Sequence, residues 1–115
     1  MTRRPFHTAA AASLILACAP LPAQGGTAAT LGARIALQGS PSGAPACTAC
    51  HGARLDGTPA LKAPRIAGLS PIFIKNRLHH YASPEGHNPM MKQVATALTP
   101  AERAAVTAYL AGLKP

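Results

Sequence analysis

Cys47-Thr48-Ala49-Cys50-His51 places two thiols three residues apart with an imidazole directly after them. Sulfurs at this spacing can each add across a vinyl group of one porphyrin, and the adjacent His can give a ring nitrogen to its iron. Cys-x-x-Cys-His is the attachment signature of c-type haem. Two other chemistries use a Cys-x-x-Cys pair. A structural zinc site wants four ligands, and the chain has 3 Cys, with no second pair. A thioredoxin-like thiol pair wants an alternating strand and helix pattern around it, and none surrounds this one.

His51 is therefore the expected proximal ligand and a single covalent haem c the expected cofactor. A ligating His usually donates its other ring nitrogen to a carbonyl, which fixes the ring. Pro64 follows the motif at a loop length that can supply that carbonyl. For the opposite side of the iron the residues leave more than one candidate. Met90 and Met91 are the only Met beyond the initiator and follow Asn88-Pro89, an extended approach. His79, His80 and His87 compete with them, and His at the sixth position would give a lower potential than Met. An open sixth position would instead favour a gas sensor or a peroxide enzyme. A His/Met pair favours electron transfer.

These residues need elements to hold them. Leu31 to Gln38 reads as a first helix with Leu31, Ile35 and Leu37 as its apolar positions. Residues 39–45, rich in Gly, Ser and Pro, read as a loop. Gly52 to Gly68, punctuated by Gly and Pro around Leu55, Leu61 and Ile66, reads as an extended loop along one haem edge. Ser70-Pro71 opens a second helix, with Ser as cap and Pro at the first position. Ile72, Phe73, Leu78 and Tyr81 give it an apolar face, and Ser83-Pro84-Glu85-Gly86 stops it. Met90 to Leu98 holds a short helical stretch. Thr99-Pro100-Ala101-Glu102 is a capping box, and Ala105, Val106, Tyr109, Leu110 and Leu113 follow at helical spacing. Nothing reads as a strand, so the expected fold is all-α.

Residues 1–23 read as a cleaved export signal: a basic start at Arg3-Arg4, a short apolar run from Ala9 to Ala19, and a cut after Ala23. Two other readings stand beside it. Thr2-Arg3-Arg4-Pro5-Phe6 looks like a twin-arginine signal. Ile15-Leu16-Ala17-Cys18 resembles a lipoprotein cleavage site, and a lipid on Cys18 would tether the protein to a membrane. Residues 24–30 read as a flexible N-terminus and residues 31–115 as one small domain. Only 2 Phe, 2 Tyr and no Trp occur in the chain, so a macrocycle would supply the bulk that the core otherwise lacks. The formal net charge is +8; loss of a leader carrying Arg3 and Arg4 takes the +8 to +6. That balance suits redox partners with acidic docking surfaces or an anionic membrane face. Lys62, Arg65, Lys75, Arg77 and Lys92 are candidates for the docking face. The basic residues are scattered singly and lack an aromatic platform, which disfavours nucleic acid.

From Leu31 to Leu113 the sequence resembles the class I c-type cytochromes, and among them the cytochrome c-four-like haem domains. The resemblance rests on Gly32-Ala33-Arg34-Ile35, the Cys47 to Gly52 motif, Pro64-Arg65-Ile66-Ala67-Gly68, Leu78-His79-His80-Tyr81, Met91 to Leu98, and Ala108-Tyr109-Leu110. It implies a small helical domain around one haem, with Pro64 as the partner of His51. In that family the ligating Met precedes a Leu by seven positions, which selects Met91, and Tyr109 packs on Gly32. Leu69 stands where a Gln is common, and Ala36 where an aromatic is usual. The implied function is periplasmic electron transfer through a His51/Met91-ligated haem c. The alternative is the haem subunit of a periplasmic dehydrogenase complex, such as a flavin-linked sulfide dehydrogenase.

Overall fold

Side-chain caps set where the four longer helices begin. The computed structural model describes residue 2, residues 10–17 and residues 27–115. The expected cut after Ala23, the lipid-bearing Cys18 and the Arg3-Arg4 pair lie outside those residues. Residues 10–17 carry no regular structure, and Leu14, Ile15 and Leu16 are exposed. Among the described residues no helix is long and apolar enough to cross a membrane.

Helix α1 spans Ala28–Gln38 and starts on Thr27, whose hydroxyl accepts from the Thr30 amide. It begins earlier than Leu31, so the segment expected to be flexible is helical from Ala28 onward. Thr27 is the overlooked signal: a Thr cap satisfies an amide that the first turn cannot. The motif forms a single turn, α2 (Thr48–His51). Helix α3 (Pro71–Ala82) starts on Ser70 with Pro71 in its first turn. Helix α4 (Pro89–Ala97) starts on Asn88, whose side chain accepts from the Met91 amide. Helix α5 (Pro100–Ala111) carries the expected capping box, with Thr99 and Glu102 each accepting from the other's amide.

Helix α1 packs on α5, and α3 packs on both α4 and α5. Ile35, Leu55 and Val106 are the largest fully buried side chains. The inward faces differ in detail from the expected ones. Leu37 is 48% exposed, and Ile72 and Phe73 are 62% and 51% exposed, while Ile74 and Leu78 carry the buried side of α3. Of the expected α3 residues, Phe73, Leu78 and Tyr81 border the central space together with Ile74, and Ile72 does not.

The loop after α2 is more folded than an extended strap. Pro59–Leu61 forms a 3-10 turn. Thr58 and Ala63 exchange backbone hydrogen bonds of 2.8 and 3.2 Å. The Gly57 amide donates to the His51 carbonyl at 2.8 Å, and the Ile66 and Ala67 amides both donate to Leu55 at 2.9 and 3.0 Å. Leu55 adopts φ 59° although fully buried; packing and these bonds hold a conformation that is unfavourable for a residue with a Cβ.

Glu102 also ties α5 to the loop that enters the motif. It is buried, and the Ser42 hydroxyl donates to its Oε1 across 60 residues of sequence. That bond, helped by the Thr99 amide and opposed by burial, holds its carboxyl below the usual range. A carboxyl whose folded pKa is depressed stabilises the fold above its unfolded pKa, about 4.3. The stabilisation is lost as pH falls through the folded value. Glu102→Gln should therefore lower stability at neutral pH and flatten the loss of stability in acid, read as denaturant midpoints against pH. An unchanged acid limb would show that the carboxylate does not carry it.

Candidate functional site

All five helices contribute to one crevice of about 620 Å³. That volume falls in the range of small-molecule and cofactor sites, ~300–1,000 Å³. Its aliphatic walls come from Ile35 on α1, Ile74 and Leu78 on α3, Val94 on α4, and Val106 and Leu110 on α5. Cys47, Cys50, His51, Pro64, Met90 and Met91 line the same space. The structure thus brings together the residues expected to hold the haem, Cys47, Cys50, His51, Pro64 and Met91.

His51 is buried at 8% exposure. Its Nδ1 lies 2.7 Å from the Pro64 carbonyl oxygen. A carbonyl only accepts, so Nδ1 carries the proton and donates it. Nε2 is then left with its lone pair, the state in which an imidazole binds a metal. Pro64 is held there by the paired Thr58 and Ala63 on one side and by the Ile66 and Ala67 amides on Leu55 on the other. The strained, buried Leu55 is thus part of the support for the imidazole. Nothing in the sequence near Leu55 announces a left-handed residue.

Cys47 and Cys50 are half-buried and unbridged. Burial pushes the Cys47 thiol up to about 11. A redox dithiol or a zinc ligand works as the thiolate and is found where the thiol pKa is lowered. The surroundings of Cys47 do the opposite. Among the described residues no three His, Cys, Asp or Glu side chains come together to hold a metal ion. Two thiols and one metal-ready imidazole beside a large apolar crevice are the donor set that covalent haem uses.

Met90 and Met91 differ in their surroundings. Met90 is 62% exposed, whereas Met91 is half-buried and packs against the core. His79, His80 and His87 are exposed and do not line the crevice. Leu69, in place of the Gln common in the resembling domains, lines it with an apolar side chain. Lys62, Arg65 and Arg77 line it as well, while Lys75 and Lys92 do not.

Comparison with known proteins agrees with this donor set. The model of the family described as Cytochrome c matches residues 29–114. The chain is 37% identical over 76 residues to the "Thiosulfate dehydrogenase electron acceptor" of Thiomonas intermedia, covering 66% of this chain and 35% of that one. Among solved structures, thiosulfate dehydrogenase from Marichromatium purpuratum superposes with a TM-score of 0.70 at 37% identity, covering 74% of this chain and 18% of that chain. Cytochrome c4 of Acidithiobacillus ferrooxidans gives a TM-score of 0.68 at 33% identity, covering 75% of this chain and 49% of that one. The chain therefore spans about a third of the length of the electron acceptor and about half of the cytochrome c4.

Proposed function

The chain belongs to the cytochrome c family, and from that premise we propose that it is a periplasmic electron carrier built on one covalent haem c. Cys47 and Cys50 supply the thioethers, His51 is the proximal ligand and Met91 the distal one. The observation that carries this reading is the Nδ1 proton of His51 on the Pro64 carbonyl, with Met91 lining the same crevice. Bound there, haem supplies a one-electron iron(II)/iron(III) couple.

The residues of the chain do the rest. Pro64 fixes the imidazole in one tautomer and one orientation, so His51 would hold the iron without turning its ring. Asn88 caps the first turn of α4 at the Met91 amide, which anchors the backbone that presents the thioether. A Met ligand raises the potential relative to His. The aliphatic walls keep water from the centre, which limits reorganisation as the charge changes. Lys62, Arg65 and Arg77 give the crevice a basic border that would steer acidic partner surfaces. Electron-transfer rates with such a partner should fall as ionic strength rises; a rate independent of salt would remove the electrostatic part of this reading.

The ligand assignment has a direct test. Met91→Ala should abolish the far-red sulfur-to-iron absorption band of the ferric protein and lower its midpoint potential. Met90→Ala should leave both in place. The reverse pattern would move the ligand to Met90. Rapid CO binding by the unmutated ferrous protein, with no such band, would replace the carrier by a protein with an open iron site.

The likeness to a thiosulfate dehydrogenase electron acceptor and to a thiosulfate dehydrogenase favours one donor class, a dehydrogenase that oxidises a sulfur compound. The chain would serve it as a mobile acceptor or as its haem subunit. Purification of the mature protein from its own cells separates the two, because a subunit brings its larger partner with it.

A further inference from the structure

Lys62, Arg65 and Arg77 line the crevice, and no carboxylate lies among its lining residues. The three cations are not equivalent. Among the described residues, only Arg77 of the three has its charged end held by another side chain. Its Nη2 donates to the Tyr81 hydroxyl at 3.0 Å, and its guanidinium carbon lies 5.1 Å from the centroid of the Tyr81 ring. The residues are four apart on α3, the spacing that makes helical neighbours. The contact combines a hydrogen bond with a cation–π interaction, a pairing that suits the planar fork of Arg and not the point charge of Lys.

Tyr81 is the anchor of the pair. It is half-buried, packs against the core and lines the crevice itself. Arg77 is itself exposed, so part of its field is screened, and the contact with Tyr81 is what keeps it beside the crevice. Tyr81 offers the guanidinium a hydroxyl and a ring face and no carboxylate, so it restrains the charge without cancelling it. We propose that Arg77, held at the crevice by Tyr81, is a fixed positive charge that raises the reduction potential of the iron.

This rests on the haem reading above. Reduction takes one electron from a reduced partner protein and turns iron(III) into iron(II), so the net charge of the centre falls by one. A nearby positive charge favours the more negative form by Coulomb's law. Tyr81 is then a positioning residue: its part is to keep that charge where it acts.

The test uses the haem-loaded protein, with covalent haem first established by intact mass. Midpoint potentials are read by spectroelectrochemical titration at low salt, and melting temperatures are recorded alongside. Arg77→Gln should lower the equilibrium constant for reduction roughly three- to tenfold, tenfold being 59 mV for one electron. Arg77→Lys should lower it less, and Tyr81→Phe should shift it in the same direction as Arg77→Gln. Added salt should shrink every difference. An unchanged potential in Arg77→Gln overturns the proposal, whether or not the melting temperature moves. A shift in Arg77→Gln with none in Tyr81→Phe removes Tyr81 from it. A polypeptide without the mass of haem would instead strike at the cofactor reading itself.

Discussion

Gly32→Ala is expected to destabilise the folded, haem-loaded chain by ~2 kcal/mol, seen as a fall in melting temperature on the order of 10 °C. Gly32 is buried where α1 crosses α5. A Cβ added there would press on the Ala105 carbonyl oxygen, 2.7 Å from the Cβ of Tyr109 and 2.9 Å from the Ala105 carbonyl carbon. These neighbours are the backbone and the first side-chain carbon of α5, which no rotamer change can move. Taken alone, Gly to Ala inside a helix gains ~1 kcal/mol of propensity. Overpacking a close contact costs ~1–3 kcal/mol, and a clash against backbone belongs at the upper end, so the loss wins. The effect should reach the site as well, because Ile35 on α1 and Val106 and Leu110 on α5 line the crevice. Helices forced apart at Gly32 shift that wall, and the potential should change with the stability. Gly112→Ala is the control: the nearest atom to its added Cβ is 3.5 Å away. That variant should be near neutral. Equal melting temperatures for Gly32→Ala and the unmutated protein would show that the crossing is looser than described.

The same close approach explains what could be read from the sequence alone. Family resemblance pairs Gly32 with Tyr109, and the two do meet in space. The caps at Ser70 and Thr99 were legible because capping is local chemistry: the donor, the acceptor and the spacing all lie within four residues. Thr27 obeys the same rule, but it is hidden in a stretch of small residues that reads as a flexible lead-in. Asn88 was read as the end of an extended approach; it is that, and it is also the cap of α4.

What could not be read depends on distance along the chain. The Ser42 to Glu102 bond joins residues 60 apart, and no local pattern records it. The left-handed φ of Leu55 and Lys62 is imposed by the loop folding back on itself, at residues with no preference for it. Which of the three apolar residues in a row is fully buried depends on α4 and α5: Ile74 is, Phe73 lines the crevice half exposed, and Ile72 does neither. The Arg77 to Tyr81 spacing was visible, yet which side of α3 borders the crevice was not. The site itself was the most legible part, because covalent attachment forces its residues into one short segment, while the rest of the crevice is ordinary aliphatic lining.

Replacing both Cys47 and Cys50 with alanine should have the largest effect of all: no covalent haem, and no cooperative unfolding transition. The argument is one of core size. Among the described residues the large buried side chains are all aliphatic: Ile35, Leu55, Ile74, Leu78, Leu98, Val106 and Leu110. Phe73, the sole Phe among residues 27–115, is half exposed, and Tyr81 and Tyr109 are only partly buried. A domain this small buries a modest share of its surface, and native stability is only ~5–15 kcal/mol in total. Walls around a crevice of about 620 Å³ would lose the apolar partner they close on. Aliphatic surface left to water costs ~25 cal/mol per Å², so a few hundred Å² is enough to cancel most of that margin. Each single variant keeps one sulfur linkage and should hold haem with a lower melting temperature. The two singles should differ little in ligation, since His51 and Met91 remain. Intact mass reads the linkage, and circular dichroism against denaturant reads the cooperativity. A double variant that lacks haem yet unfolds in a single sharp transition would show that the aliphatic core suffices, and that the macrocycle is a passenger in this fold instead of its centre.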